Sequence, residues 1–93
     1  MALPRRGDDR LEKRAFARVL MTLRDERGIT QEILAFESGY HPKYISLLER
    51  GKYSPSLTAI LEISRALGIS GAELVRRVEA LLPGNRRRRY ERQ

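Results

Sequence analysis

The chain of 93 residues contains no cysteine and a single histidine, His41. The lack of cysteine excludes disulfides, thiolate metal sites and a cysteine nucleophile, and one histidine excludes a metal site built from several histidines. Wholly apolar runs such as residues 33–36 are far shorter than the roughly 20 residues of a membrane span. The arginines near the N-terminus have no apolar segment behind them, so we expect no secretory signal. These absences predict a small, soluble, cytoplasmic domain.

The composition is that of one folded domain with a highly charged surface. Hydrophobic residues make up 41% of the chain, which is enough for a core and unlike a disordered sequence. Charged residues make up 33%, above the usual proportion of about 25%. A second domain would need its own core, and domains usually have about 100–150 residues, so we expect one domain.

The net charge of +7 is concentrated at the C-terminus. Residues 83–93 carry five arginines and one glutamate, a net charge of +4, whereas residues 1–10 carry +1 and residues 11–82 carry +2. A positive field attracts polyanions, most often nucleic acid, but a basic run is equally well interpreted as a solvated tail. We therefore predict a flexible basic arm at 1–10, a folded domain at 11–82 and an Arg-rich tail at 83–93.

Apolar residues recur at helical spacing in five segments of the sequence, and none of these segments alternates like a β-strand. In residues 11–27 the apolar positions form one face of an amphipathic helix, and Gly28 is placed to end it. The second and third helices are short and begin at Thr30 and Pro42, a capping residue and a first-turn proline. We therefore predict an all-α fold, a compact five-helix bundle.

Start signals also define the last two helices. Ser54 and Pro55 have the order of a helix cap followed by a first-turn proline, so we expect the fourth helix to begin there. Its inward-facing residues are expected to be Leu57, Ile60, Ile63 and Leu67. Ser70 and Glu73 have the spacing of a capping box, which predicts a fifth helix that continues to about Leu82.

The second and third predicted helices have the spacing of a helix-turn-helix. Gly39 lies in the short turn between them, and Ala35 is small at the point where the two helices would meet. Ile45 and Leu48 would hold the third helix from beneath and leave its other face free. Because the major groove of DNA admits one helix, this pattern predicts a recognition helix at about Pro42–Arg50.

Five motifs resemble the phage-repressor and Cro family of helix-turn-helix proteins, the Xre type. They are LRDERGITQE from Leu23, LAFESGY from Leu34, YISLLERGK from Tyr44, SPSL from Ser54 and ALGIS from Ala66. Together they cover roughly residues 14–75, in the order and spacing of the family. The resemblance implies a lambda-repressor-like fold and a sequence-specific DNA-binding transcriptional regulator.

The resemblance also implies roles for individual residues. Gln31 is similar to the family glutamine that hydrogen-bonds DNA phosphate and braces the recognition helix, and Arg24 and Glu49 resemble a structural ion pair between the first and third helices. The positions that the family directs at the groove are His41, Lys43, Tyr44 and Leu47. Lys43 is the best candidate to read a base, because lysine can donate to guanine O6 and N7. The residues that resemble phosphate anchors are Arg50 and Lys52.

Some positions depart from the family pattern. Pro42 lies where the family often has a polar base-reading side chain, and Ile33 replaces a glutamate, which removes the capping box of the second helix. Residues 28–55 carry three acidic and three basic side chains, so the motif itself has no net charge. We expect Ile33 and Phe36 to pack within the chain, with a partner site as the alternative.

Three positions of the predicted recognition helix have two interpretations each. Tyr44 is interpreted as a DNA contact in preference to a packed surface tyrosine. For Leu47, contact with a thymine methyl and packing are equally supported. His41 fits an N-cap or the edge of the groove better than a catalyst, because no nucleophile and acid are spaced around it.

The fifth helix has an apolar stripe that is wider than one packing face needs. Its residues are Leu74, Val75, Val78, Leu81 and Leu82. We expect part of this stripe to form the two-fold interface of a homodimer, which would let two recognition helices meet half-sites about 34 Å apart. The substitution Val78→Glu is then expected to produce a monomer.

The favoured function is a transcriptional regulator that binds an inverted repeat in double-stranded DNA as a homodimer. A restriction–modification controller or an antitoxin is the alternative within DNA binding. A protein-interaction adaptor with the same fold, supported by Pro42 and the neutral motif, and RNA binding through the arginine tail are alternatives of other classes. We expect no enzyme, because no catalytic set surrounds His41 and no phosphate-binding glycine loop is present. No cofactor, metal, membrane or small-molecule substrate is expected.

Overall fold

The computed structural model describes residues 8–84, and within this range the protein consists of five α-helices joined by short turns. The helices are α1 (Arg10–Arg27), α2 (Gln31–Ser38), α3 (Pro42–Glu49), α4 (Leu57–Ala66) and α5 (Gly71–Ala80). This confirms the predicted all-α fold. Most of the predicted N-terminal arm and Arg-rich tail lies outside the described residues. No helix in the described range has both the length and the apolar character needed to cross a membrane.

Each helix contributes at least one fully buried side chain to the core. The largest of these side chains are Leu20, Leu34, Ile45, Leu48, Ile63 and Leu74, each 0% exposed. Full burial of such an aliphatic side chain contributes about 1.5–3 kcal/mol, so this cluster is the main force that joins the helices. Ile45 and Leu48 hold α3 from beneath, as predicted, and the opposite face of α3 remains on the surface.

The short helices depend on side-chain caps, because isolated helices of this length are marginal in water. The hydroxyl of Thr30 accepts a hydrogen bond from the backbone N–H of Ile33 at 3.1 Å, which caps α2. Nδ1 of His41 accepts from the N–H of Lys43 at 3.0 Å, which caps α3 just before Pro42. These contacts confirm the predicted starts of both helices.

The predicted start of α4 is wrong. The cap is Ser56, whose hydroxyl accepts from the N–H of Ala59 at 3.0 Å, and the first helical residue is Leu57. The hydroxyl of Ser54 donates to Oδ2 of Asp9, 2.7 Å away, and Ser54 lies two residues before the observed cap. The later start places Leu57 on the outside, 70% exposed, which corrects its predicted inward orientation. The other predicted positions, Ile60, Ile63 and Leu67, do pack in or against the core.

Only one half of the predicted capping box forms at the start of α5. The hydroxyl of Ser70 accepts from the N–H of Glu73 at 3.0 Å. The carboxylate of Glu73 accepts from Arg76 and Arg77 at 2.7–2.9 Å and is thereby held along the helix. The helix ends at Ala80, shortly before the predicted end.

Candidate nucleic-acid interface

The turn between α2 and α3 sets the angle of the two helices. Gly39 adopts a left-handed conformation with φ of 84°, which a residue with a Cβ adopts only with strain. The N–H groups of Gly39 and Tyr40 both donate to the carbonyl of Ala35 at 2.9 Å. Ala35 is fully buried where the helices meet. Small residues at the contact and the turn therefore produce the predicted helix-turn-helix.

A buried carboxylate braces the C-terminal end of α3. Glu49 is 8% exposed, and its two oxygens accept from Nε and Nη2 of Arg24 at 2.8 and 3.1 Å. Nε2 of Gln31 donates to the same carboxylate at 2.8 Å, and Nη1 of Arg24 donates to the carbonyl of Ile29 at 2.9 Å. These bonds join α1, α2 and α3, which confirms the expected ion pair and the bracing contact of Gln31.

The bracing contact leaves Gln31 with hydrogen-bonding capacity. A primary amide has two N–H donors, and the bond to Glu49 uses one of them. Gln31 is half-buried at the first position of α2, so its second N–H can reach a group outside the protein. The hydrogen bonds that Arg24 donates to the Glu49 carboxylate raise the pKa of Arg24 above its ordinary value, and this guanidinium stays charged.

The predicted groove-facing residues, on α3 and at its N-cap, differ in their exposure to solvent. Lys43 and His41 are exposed, whereas Tyr44 and Leu47 are half-buried. Because Nδ1 of His41 accepts a backbone bond, the neutral ring has its proton on Nε2, where it is a donor. Lys43 takes part in no ion pair within residues 8–84, so its ammonium group is available to a ligand.

Tyr44 belongs partly to the protein interior. Its ring packs against the core and lies 5.0 Å from the ring of Tyr40, measured between centroids. Burial is the main reason why the pKa of Tyr44 is raised above its ordinary value. The packed interpretation therefore accounts for the ring of Tyr44, and a DNA contact would be left to its exposed edge.

The predicted phosphate anchors lie on the turn that follows α3. Arg50 and Lys52 are both exposed, on either side of Gly51 with φ of 70°. The beginning of α1 approaches the same turn, and Arg14 lies against Gly51. Sequence analysis missed Arg14, although arginines at 10, 14 and 18 share one face of α1 and would have been a signal.

Two apolar side chains of α2 lie on the surface. Phe36 is 86% exposed and Ile33 is 43% exposed, so the expectation that they pack within the chain is wrong. The buried residues of α2 are Leu34, Ala35 and Ser38, and positions 33 and 36 fall on the opposite side of this eight-residue helix.

The apolar stripe of α5 divides between core and surface. Leu74 is fully buried, so its assignment to a dimer interface is corrected, and Val78 packs partly against the core. Val75 and Leu81 are 46% and 49% exposed, and Leu82 is half-buried.

The exposed part of this stripe continues onto α4. Gly71, one turn before Val75, is in contact with Leu61, because a Cβ built on Gly71 would lie 2.6 Å from Leu61 Cδ2. Leu61 is 46% exposed, and Leu57, one turn before it, is 70% exposed. Leu57, Leu61 and Val75 therefore form an exposed apolar face across α4 and α5, which we name the α4–α5 face.

Comparison with known proteins gives the same family and the same fold. Residues 20–74, more than half of the chain, match the helix-turn-helix family HTH_3. An uncharacterized HTH-type transcriptional regulator, y4dJ of Sinorhizobium fredii, is 45% identical over 53 residues, which are 57% of this chain and 69% of that protein. Control protein C.BamHI of Bacillus amyloliquefaciens is 47% identical over 48 residues, 52% of this chain and 59% of that protein. The match to C.BamHI thus covers less than two thirds of its length.

Solved structures of related regulators have the same fold as this chain. The restriction-modification controller protein C.AhdI from Aeromonas hydrophila superposes with a TM-score of 0.66 at 40% identity, over 68% of this chain and 96% of that chain. The controller C.Esp1396I, solved as a tetramer in complex with its natural 35 base-pair operator, has a TM-score of 0.69 at 26% identity, over 75% of this chain and 92% of that chain. With its braced recognition helix and this family match, the chain belongs to the helix-turn-helix family of DNA-binding transcriptional regulators.

Proposed function

We propose that this protein is a sequence-specific transcriptional regulator that binds an inverted repeat in double-stranded DNA as a homodimer. The observation that carries this proposal is α3 itself, which is anchored by buried Ile45 and Leu48 and by the Glu49 carboxylate. A rigid helix with an exposed polar side can hold its side chains at fixed positions in the major groove. We propose that the protein is cytoplasmic and has no enzymatic activity.

The residues of the helix-turn-helix divide into base readers and phosphate contacts. Lys43 has no carboxylate partner within residues 8–84 and can donate to guanine O6 and N7. Nε2 of His41 is a second donor at the start of α3. Leu47 can meet a thymine methyl group. The phosphate contacts are the second N–H of Gln31 and the cations of Arg50 and Lys52, which set the register of the protein on DNA.

The α4–α5 face is the best candidate for the dimer interface. Exposed apolar side chains at neighbouring positions of two helices are typical of surfaces that bind a partner. Val75, from the predicted stripe, belongs to this face together with Leu57 and Leu61. The remaining stripe residues, Leu81 and Leu82, line shallow grooves beside Arg18 of α1 and would be peripheral. The operator complex of the controller C.Esp1396I, a tetramer, supports binding by more than one subunit.

Control of a restriction–modification operon is the more specific candidate for the biological role. Its support is the 47% identity to control protein C.BamHI and the 40% identity to the controller C.AhdI. The immunity repressor of Bacillus phage phi105, 34% identical over 56 residues, supports other regulatory roles for the same fold. Genes for a restriction endonuclease and a DNA methyltransferase beside this one would support the controller, and their absence would oppose it.

Selection from random duplex DNA tests the proposed function. The purified protein should enrich an inverted repeat, because two α3 helices related by two-fold symmetry contact identical half-sites. Half-site centres should lie about 10 base pairs apart, or a multiple of this spacing. A matched selection with Lys43→Ala should lose preference at one position of each half-site. Enrichment of no sequence would contradict the proposal and favour the protein-interaction adaptor.

A further inference from the structure

The first part of α1 precedes the segment that matches the family model. The helix begins at Arg10, whereas the family match begins at residue 20, so ten residues of α1 precede it. Arg10, Arg14 and Arg18 are all exposed on this segment. Their spacing of four residues places them along one face of the helix.

Two contacts fix this segment against the turn after the recognition helix. The hydroxyl of Ser54 donates to Oδ2 of Asp9 at 2.7 Å, which ties the beginning of α1 to the α3–α4 loop. The turn approaches α1 closely at Gly51, because a Cβ added there would lie 3.8 Å from Cγ of Arg14 and 3.9 Å from the carbonyl oxygen of Lys13. The aliphatic part of the Arg14 side chain therefore packs beside Gly51, in the turn that follows α3.

A concavity of about 690 Å³ lies between the beginning of α1 and this turn. Charged side chains contribute most of its lining: Asp8, Arg10, Glu12, Lys13, Arg14 and Arg50. Arg10 pairs with Asp8 at 3.3 Å, and Lys13 pairs with Asp9 at 3.3 Å. Arg14, Arg50 and Glu12 are in no ion pair within the range 8–84, so the lining carries two unpaired guanidinium groups and one unpaired carboxylate, and its unpaired charge is net positive.

We propose that this concavity is an additional phosphate-binding site, in which Arg14 and Arg50 together hold a phosphodiester of the DNA backbone beside the recognition helix. Guanidinium groups bind phosphate oxygens through paired N–H donors, and two arginines can share one phosphate. Arg50 and Gly51, which follow α3 directly, line the concavity, so the site adjoins the C-terminal end of the recognition helix. This inference rests on the proposed function, and it adds a contact from a segment that precedes the family match.

The site should increase affinity for every DNA sequence without changing which sequence is preferred. Phosphate contacts release counterions, and each contact adds about 0.9 to the slope of log affinity against log salt concentration. Base discrimination depends on groove contacts, which Arg14 does not make in this arrangement.

Fluorescence anisotropy over a range of potassium chloride concentrations tests the site, with the selected duplex and a random duplex as probes. Arg14→Gln is expected to reduce the slope on both duplexes, by at most about 1.8 for a dimer, because each of its two subunits loses a cation from one phosphate. Arg14→Lys should keep the slope, because it keeps the charge. Arg18→Gln is the matched control: it removes the same charge from the same helix one turn away, and its slope should equal that of the unsubstituted protein. Circular dichroism establishes that each variant is folded.

A single uncharged methylphosphonate, moved along the backbone at the border of the half-site, identifies the phosphate. One position should weaken binding of the unsubstituted protein and of Arg18→Gln by a larger factor than it weakens binding of Arg14→Gln, since only Arg50 contacts that phosphate in Arg14→Gln. Equal slopes for Arg14→Gln and Arg18→Gln on a duplex that the unsubstituted protein selects would overturn this site and leave the proposed function standing. If no duplex is selected, the proposed function fails first, and the site fails with it.

Discussion

Among single residues, Glu49 links the fold most directly to DNA binding. Removing a carboxylate from water costs several kcal/mol unless donors replace the lost hydration. Arg24 and Gln31 supply three such donors to Glu49, from α1 and α2. The same contacts hold the end of α3 and direct the spare N–H of Gln31 outward. Stability and the geometry of the interface therefore depend on one small group of bonds.

Arg24→Ala is expected to lower the free energy of unfolding by roughly 3 kcal/mol, because it leaves the Glu49 carboxylate buried without its cation. Urea denaturation measures this change. The matched control is Arg65→Ala, which breaks the exposed Arg65–Glu62 pair at 2.7 Å and should cost less than about 1 kcal/mol. Equal losses in the two variants would show that Glu49 does not depend on Arg24.

Lys43→Ala is expected to reduce discrimination between the selected duplex and a duplex with one changed base pair by about 1–3 kcal/mol, because the donor to guanine is lost. Competition binding at fixed salt measures this difference. Lys52→Ala, which removes a cation on the turn after α3, should weaken binding to both duplexes by the same factor. A uniform effect of Lys43→Ala would make this residue a phosphate contact as well.

At the scale of elements, helix ends explain how such short helices persist. The caps at Thr30, His41, Ser56 and Ser70 each satisfy a backbone N–H that would otherwise lack a partner. In α5 the cap is combined with Glu73, which accepts hydrogen bonds from Arg76 and Arg77 and lies near the positive end of the helix.

These hydrogen bonds lower the pKa of Glu73 from 4.5 to about 2, with Arg76 the largest cause and Arg77 the next. A carboxyl group with a lowered pKa in the folded state stabilises the fold above its ordinary pKa, and this stabilisation is lost as the pH falls toward the lowered value. The melting temperature of Glu73→Gln should therefore lie below that of the unsubstituted protein at neutral pH, and the difference should vanish between pH 4.5 and about 2. Glu79→Gln, on the same helix, is the control for the change in net charge, because Glu79 is in no ion pair within residues 8–84. A difference that is constant with pH would contradict this role of Glu73.

At the scale of the whole molecule, we propose that the α4–α5 face determines the oligomeric state. Val78→Glu, the substitution suggested by sequence, would also disturb the core, because Val78 packs against it. Val75→Glu is a cleaner test, since Val75 is 46% exposed. We expect sedimentation at tens of micromolar to show a dimer for the unsubstituted protein and a monomer for Val75→Glu, because a charge would be buried without a partner. Met21→Glu, at a site on α1 that is 44% exposed, should remain a dimer. A monomeric unsubstituted protein would reject the interface.

The five helices, most of their boundaries and the helix-turn-helix could be predicted from the sequence, because the signals are local. Gly28, Thr30, Pro42 and Ser70 act on backbone groups within about four residues, so their effect is visible in a short segment of sequence. The motif that carries Gln31, Glu49 and the exposed Lys43 is likewise contiguous, and its family spacing indicated both the brace and the reading face.

Burial and long-range proximity were decided by the tertiary structure alone. Leu74 and Val75 are adjacent apolar residues, yet one is fully buried and the other is 46% exposed, because exposure depends on which helices pack around each position. Ser54 has the spacing of a cap, but its hydroxyl donates a hydrogen bond to Asp9, 45 positions away, and Ser56 caps the helix. Arg14 meets Gly51 for the same reason: only folding brings distant segments together, so no local pattern could place that arginine beside the recognition helix.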